Sequence, residues 1–310
     1  MKKILVTWWL GFIWSYFIES ALKKGFYVIN IDKKTYASRK DLDFEKKPNY
    51  QLVEEDICDI KEIADWLDYV VHFAAESHVD NSIETPKKFL DSNIYGVYNM
   101  LELIKNSDNN PEFIYISTDE VYWEIISGSF SENSEIKASN VYAATKVAAE
   151  QLVFAYWKTN WLKYKICRST NNYWYWQDAE KLLAKTIKYS LEWKKMTIHW
   201  DWKYFREWIY VWDNVAWIFT VLEKWSVGEV YNIWSGVEYD NLTMVKKVLK
   251  EIWLAEDFYE NVKNRKWQDI RYSLDSSKIR KLWWEPKMLV DDYISIYIDK
   301  TKNKDEGRFL

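Results

Sequence analysis

The chain has 310 residues, with 43 basic and 47 acidic side chains for a net charge of −4, and only two cysteines. Mixed, slightly acidic charge argues against a basic face for nucleic acid or an anionic membrane. The distant Cys58 and Cys167 exclude a disulfide framework and a thiolate metal site, which fits a reducing cytoplasm, and the length suits one large domain or two interlocked ones.

The opening MKKILVTWWLGFIW imitates a secretory leader, because two lysines precede an apolar run. It has no small-residue cleavage site, and Thr7, Gly11 and Ser15 punctuate it as strand, turn and helix. A strand over 3–7 is therefore expected, then a helix over 12–24 with apolar Ile13, Phe17, Ala21 and Leu22 and with Gly25 as its stop. A second strand over 27–31 ends at Asp32. Strand, turn, helix and strand, with an acid about 20 residues after the turn, is the layout for a dinucleotide: pyrophosphate at the helix N-terminus and carboxylate on the ribose. An acid at that place favours NAD over NADP. The turn is unusual, since glycines would be expected at 8, 11 and 14 and only Gly11 is present.

The anomaly extends along the chain. Average usage would give roughly 22 glycines, but there are 7, and tryptophan stands at 21. Many of the tryptophans sit in turn-like settings, as in HWDWK and NIWSG, so they look like glycine positions filled by indoles.

Further on, EEDICD places Asp56 and Ile57 at the end of a third strand. A fourth, over 69–73, leads into AAESHVDNS, where small Ala74 and Ala75 allow close backbone approach and Ser77, His78 and Asp80 supply polar groups. His78 reads as a hydrogen-bonding or substrate contact, because no second His or Cys has metal-ligand spacing. After a helix over 86–106, the apolar FIYIST delivers Thr118, Asp119 and Glu120 at its carboxyl end, where open parallel sheets bind ligands. About twenty polar residues later comes VYAATKVAAEQLV. Tyr142 and Lys146, at i and i+4, share one helix face. An ammonium beside a phenol favours the phenolate, a usable base near neutral pH. Either feature alone is common by chance; together, in this order behind a nucleotide-binding start, they are specific.

The helix over 142–160 is apolar nearly all round, through Ala144, Val147, Ala148, Leu152, Val153 and Tyr156, and is expected at a subunit interface. After a sixth strand over 164–168 the alternation loosens into a smaller lobe with scattered cations, Lys181, Arg206, Arg265 and Arg271, which suit a diphosphate. No other segment is apolar for long enough to cross a bilayer. The expected architecture is α/β, a Rossmann-type doubly wound parallel sheet over 1–168. A C-terminal α/β substrate lobe follows over 169–310, with segments near 205–235 returning to the first domain.

With HFAAESHVD, STDEVY, YAATK, RSTNNY, EKL, REW, EVYNI and NRKWQDIRY in place, the chain resembles the extended short-chain dehydrogenase/reductases, and among them the dTDP-glucose 4,6-dehydratases, over about residues 3–286. The Asp-Glu pair after Thr118 sets dehydratases apart from the otherwise similar sugar 4-epimerases. The resemblance implies cofactor (NAD) contacts from Gly11, Phe12, Ile13, Asp32, Lys33, Thr35, Asp56, Ile57, Ala74, Ala75, Ser77, Ser92, Tyr142, Lys146 and Asn172. It implies nucleotide-sugar contacts from His78, Thr118, Asn171, Lys181, Leu182, Arg206, Asn241 and Arg265, and catalysis by Thr118, Asp119, Glu120, Tyr142 and Lys146. No metal is implied. A homodimer through the helices over 86–106 and 142–160 is expected, in the cytoplasm. Tryptophan replaces the family's glycine at 8, 9, 14, 123, 174, 200, 202, 234, 267 and 283, while Gln268 and Ile270 stand where His and Arg are usual. Three readings follow: a 4,6-dehydratase, a nucleotide-sugar 4-epimerase, and a folded but inactive chain with indoles at its glycine positions. The nucleobase, among dTDP, UDP, GDP and CDP, is not fixed by the sequence.

Overall fold

The computed structural model describes residues 1–7, 12–33, 42–199, 204–224, 226–263, 269–281 and 285–303. In chain order these form β1 (Lys3–Thr7), α1 (Phe12–Lys23), β2 (Tyr27–Ile31), β3 (Tyr50–Val53), β4 (Tyr69–His72), α2 (Val79–Glu84), α3 (Pro86–Leu90) and α4 (Gly96–Lys105). Next come β5 (Glu112–Thr118), α5 (Val141–Asn160), β6 (Tyr164–Ser169), β7 (Asn171–Tyr173), α6 (Leu182–Leu191), β8 (Met196–His199), β9 (Phe205–Tyr210) and α7 (Val211–Lys224). The chain ends with β10 (Glu229–Ile233), β11 (Glu238–Asp240), α8 (Asn241–Glu251), β12 (Tyr259–Val262), α9 (Ser277–Arg280) and α10 (Val290–Asn303).

Two compact units result, the first from Met1–Trp123, Glu132–Ser169 and Val215–Asn232, the second from Glu124–Ser131, Thr170–Asn214 and Ile233–Leu310. The first is a seven-stranded sheet in the order β10-β6-β5-β4-β1-β2-β3. The pairs β1–β2, β1–β4, β2–β3, β4–β5 and β5–β6 are all parallel. The central strands β1, β4, β5 and β6 are buried nearly throughout because both faces are covered, so no solvent face demands alternation. On one face Leu5, Val70, Tyr115 and Ile166 pack with Met100 and Leu101 of α4 and Ala149 and Val153 of α5. On the other, Phe17 of α1 stacks on Phe219 of α7 with centroids 4.5 Å apart and leans on Phe73 at 5.2 Å.

Three features differ from expectation. β3 stops at Val53, so Asp56 and Ile57 sit in the following turn, with Ile57 buried against the backbone of Gly96. The helix expected over 86–106 is two helices joined by a π turn, Asp91–Tyr95. In α5 the buried face carries Lys146 and Glu150 beside Tyr142, Ala143, Thr145, Ala149 and Val153, while Ala144, Gln151 and Ala155 are exposed. A run of alanines looks apolar on every face, but the short side chains do not decide which face packs.

The second unit holds a three-stranded sheet, β11-β9-β7, and a two-stranded one, β12-β8. Met196 and Ile198 of β8 pack on Val245 and Leu249 of α8, with Leu182 and Tyr189 of α6 against them. No described helix is long and apolar enough to cross a membrane.

Candidate active site

Strand order reverses between β1 and β4, and in such sheets the crevice outside the carboxyl ends at the reversal is the ligand site. Thr7 and His72 end these strands and face each other, with Thr7 Oγ1 3.0 Å from His72 Nδ1. Burial, helped by the nearby Lys146 charge, pushes the His72 imidazole down to about 3. At the end of β2 the Asp32 carboxylate is buried, and its backbone N–H is held by the Val53 carbonyl at 3.0 Å. The next residue, Lys33, pairs with Asp56 at 2.9 Å. Burial raises the Asp56 carboxyl, but the Cys58 N–H and Lys33 outweigh it and hold the pKa below its usual value.

Beyond β4, Ala74 and Ala75 are buried, while Ser77 and His78 are half-buried. His78 caps α2, its Nδ1 accepting from the Asn81 N–H at 3.3 Å. Ser92 is buried in the π turn. Phe12 and Ile13 open α1 half-buried, followed by Trp14, which is fully enclosed. Gly11 and Thr35 lie outside the described residues. Asn93, which sequence reasoning missed, ties this loop to α5: it bonds both backbone groups of Glu76, at 2.7 and 3.0 Å, and donates to Thr145 Oγ1 at 2.9 Å.

The catalytic candidates of the first unit come together. Thr118 ends β5 and its hydroxyl donates to Asp119 Oδ1 at 3.0 Å while accepting from the Glu120 N–H at 3.3 Å. The tight turn Asp119–Val121 buries Asp119 and leaves Glu120 half-buried. Asn140, a second residue missed from sequence, caps α5 by accepting from the Ala143 N–H at 2.9 Å and donates to Glu120 Oε2 at 3.1 Å. The same side chain thus starts the helix bearing Tyr142 and orients the carboxylate of Glu120. A signal was available: Asn directly before a helical run is a cap residue.

Tyr142 and Lys146 both lie on the buried face of α5. Electrostatically they depart from the expectation that the lysine lowers the phenol. Burial comes first, followed by the Glu120 charge, and against a hydrogen bond with Thr118 they push Tyr142 well above the usual phenol range. Lys146 Nζ donates instead to the Ile116 carbonyl at 2.7 Å and sits 4.3 Å over the Tyr115 ring. Its pKa is lowered to about 7 by burial, against the pull of Glu150. Desolvation is the leading cause for both groups.

A buried ion pair braces the cluster. Arg168 of β6 forks onto Glu150 of α5 at 3.0 and 2.5 Å, with side chains 1 % and 0 % exposed, and also donates to the Tyr122 hydroxyl. Tyr122 in turn donates to Asn232 at 2.8 Å. The residue that follows Asp-Glu-Val is thereby fixed from below.

Of the nucleotide-sugar candidates, His78 and Thr118 belong to the first unit and the other described ones to the second. Asn171 is exposed on β7, and Asn172 beside it is buried, donating to the Thr170 carbonyl at 3.0 Å and accepting from Asn214 at 2.8 Å. β7 pairs with β9, which carries Arg206 5.4 Å from the Tyr272 ring centre. Lys181 precedes α6 and lies 3.6 Å from Glu180, Leu182 begins that helix, and Asn241 opens α8. Arg271, counted among the scattered cations, is committed to Glu238 at 2.6 Å and the Gly128 carbonyl at 3.0 Å. Arg265 lies outside the described residues. Among the described residues no cluster of three potential metal ligands occurs.

Comparison with known proteins places this geometry. The family model described as GDP-mannose 4,6 dehydratase matches residues 5–296. The chain is 39% identical to the low-salt glycan biosynthesis protein Agl12 of Haloferax volcanii, over 98% of this chain and 99% of that protein. It is 38% identical to the dTDP-glucose 4,6-dehydratase of Haemophilus influenzae, over 93% of this chain and 94% of that one. A solved dTDP-glucose 4,6-dehydratase of Streptomyces venezuelae, with NAD bound, superposes with a TM-score of 0.90 at 31% identity, covering 97% of each chain. A match across nearly the whole length, with the sheet order and the strand-end carboxylates already in place, shows that this chain belongs to the GDP-mannose 4,6-dehydratase family of extended short-chain dehydrogenase/reductases.

Proposed function

We propose that the protein is an NAD-dependent nucleotide-sugar 4,6-dehydratase, a hydro-lyase that converts dTDP-glucose to its 4-keto-6-deoxy derivative. The observation that carries the reading is the pair Asp119 and Glu120, held by Thr118 and Asn140 beside the buried Tyr142. A buried carboxylate at the end of β2 and small residues after β4 fit a dinucleotide, so Asp32, Lys33, Asp56, Ala74, Ala75 and Ser77 would hold NAD. When bound, NAD supplies the acceptor for hydride from the sugar C4 and returns it at C6.

The side chains divide the proton work. Tyr142 takes the proton of the sugar 4-hydroxyl; because its surroundings raise its pKa, this needs a cation brought close by the bound ligands. Oxidation at C4 acidifies the C5 hydrogen, which Glu120 removes as base. Asp119, buried beside Glu120, serves as the acid and donates a proton to the departing 6-hydroxyl, which leaves as water. Thr118 orients both groups. Asn171, Lys181, Leu182, Arg206, Asn241 and Arg265 would contact the nucleotide sugar, with the second unit as its lobe. A homodimer would form through the helices over 86–106 and 142–160, and exposed Leu90, Tyr95 and Tyr98 on the first of these support it.

The test is incubation with dTDP-glucose and NAD, followed by mass spectrometry of the sugar nucleotide. Loss of one water is the expected outcome, abolished by Glu120→Gln. Conversion to the 4-epimer instead, undisturbed by Glu120→Gln, would establish the epimerase reading.

A further inference from the structure

Five tryptophans occupy a backbone conformation that L side chains resist. Trp123, Trp161, Trp176, Trp193 and Trp253 have φ of 65°, 57°, 72°, 56° and 66°. Of the other described non-glycine residues with positive φ, Asn110 is of a type that visits this region, and Trp174, at 159°, is close to extended backbone.

Three of the five end helices, and the hydrogen bonds show which residue the ends were built for. After α6 the Lys194 N–H reaches the Tyr189 carbonyl at 2.8 Å and the Trp193 N–H the Ser190 carbonyl at 3.2 Å. After α8 the Leu254 N–H reaches Leu249 at 2.9 Å and the Trp253 N–H reaches Lys250 at 3.1 Å. Both are Schellman motifs, whose central left-handed position is a glycine position. The chain makes the same motif after α1 with a true glycine: Phe26 bonds Ala21 at 3.0 Å, Gly25 bonds Leu22 at 3.1 Å, and φ is 81°. Trp161 closes α5 by the simpler single bond to Trp157 at 3.1 Å.

Packing does not justify the indoles. Trp161, Trp193 and Trp253 are 76%, 76% and 93% exposed, so each keeps the backbone strain and buries little. Trp208 is the contrast, buried within β9 on ordinary strand backbone. A chain short of glycine by roughly the number of tryptophans it has in excess, with five of its described tryptophans on glycine backbone, points to a single codon read in two ways. UGA is such a codon: it is translated as tryptophan under some genetic codes and differs from the glycine codon GGA by one base.

We propose that the cell from which this gene comes reads UGA as glycine. On that reading its protein carries glycine at 123, 161, 176, 193 and 253, and also at 8 and 14 of the dinucleotide turn, with Trp208 a genuine tryptophan encoded by UGG. The inference rests on backbone geometry and stands apart from the assignment of the reaction. It does bear on it, since glycine at the start of α1 frees the space that Trp14 fills.

Tandem mass spectrometry of peptides from the protein isolated from its own cells reads each position directly. Glycine at 161, 193 and 253 with tryptophan at 208 is expected; tryptophan at the first three overturns the proposal, and glycine at 208 too would show that backbone conformation does not mark the recoded positions. A recombinant series tests the strain. Glycine at 161, 193 or 253 should favour folding by about five- to thirty-fold per position, whereas alanine, which keeps the Cβ, should give little gain. Equal gains from alanine and glycine would remove the strain argument.

Discussion

His72 gives the first unit a calculable acid sensitivity. Its ring is completely buried between β1 and β5 and is held neutral, with a pKa of about 3 against an ordinary 6.5. The folded pKa is depressed, so the group's contribution is fully present above the unfolded value and is lost as pH falls towards the folded one. Each pH unit in that window, where the unfolded chain binds a proton and the folded chain does not, is worth about 1.4 kcal/mol. From about pH 6.5 down to about pH 5 the loss is therefore about 2 kcal/mol, and over the whole window about 5 kcal/mol as an upper bound. His72→Gln keeps a hydrogen-bonding group for Thr7 and removes the titration. Urea unfolding midpoints of parent and variant at about pH 7.5 and about pH 5 isolate the term, because carboxylates shared by both chains cancel in the difference. The parent should lose about 2 kcal/mol more than the variant. Equal losses would show that the imidazole is not held neutral in the folded state, and the reasoning would fail.

Lys146→Met tests the complementary window. The lysine is depressed to about 7 from 10.5, so its stability contribution is present above 10.5 and lost as pH falls to 7. The methionine chain should gain on the parent progressively over that range, by up to about 5 kcal/mol, and a pH-independent difference in unfolding midpoint would contradict the assignment. Arg168→Met leaves Glu150 buried and unpaired, which should cost about 3–5 kcal/mol, while the double variant with Glu150→Leu should cost less than the sum; additive losses in denaturant titrations would mean the pair is not coupled. Asn140→Ala should lose about 1 kcal/mol with the α5 cap and lower kcat as well. Asn140→Ser restores the cap without reaching Glu120, so stability should return and kcat should not; recovery of both would leave Asn140 no part in placing the carboxylate.

Much of the fold is legible because both signals that mark it are local. Apolar runs such as ILVT and FIYIST ended where their strands end, and the first helix stopped at Gly25 as the turn chemistry required. The sequence misled where side-chain size or long-range contact decides. The alanines of α5 hid its polar buried face, and Val53 ended β3 early because the next residues fold back under Gly96. At the candidate site, the residues carried by motifs are brought together around Thr118, but what holds them is not local in sequence. Asn93 reaches Thr145, Asn140 reaches Glu120 and Arg168 reaches Glu150. Spacing along the chain carries no trace of such contacts. The rise in the Tyr142 pKa was not legible for a related reason: charge is visible in a sequence, but burial, its leading cause here, is not.

The tryptophans turn this into a statement about the order in which experiments can be read. A bulky residue in the left-handed region costs roughly 1–2 kcal/mol. Five such positions, at Trp123, Trp161, Trp176, Trp193 and Trp253, together cost about 5–10 kcal/mol, which is comparable to the whole net stability of about 5–15 kcal/mol of an ordinary folded protein. The same fold is specified with or without the indoles, because three of the five sit at exposed helix ends where no core contact depends on them. What changes is the population that reaches it. An inactive preparation of the tryptophan chain therefore reports on folding before it reports on Glu120 or Tyr142, and the glycine variants at 161, 193 and 253 have to precede any conclusion about the chemistry.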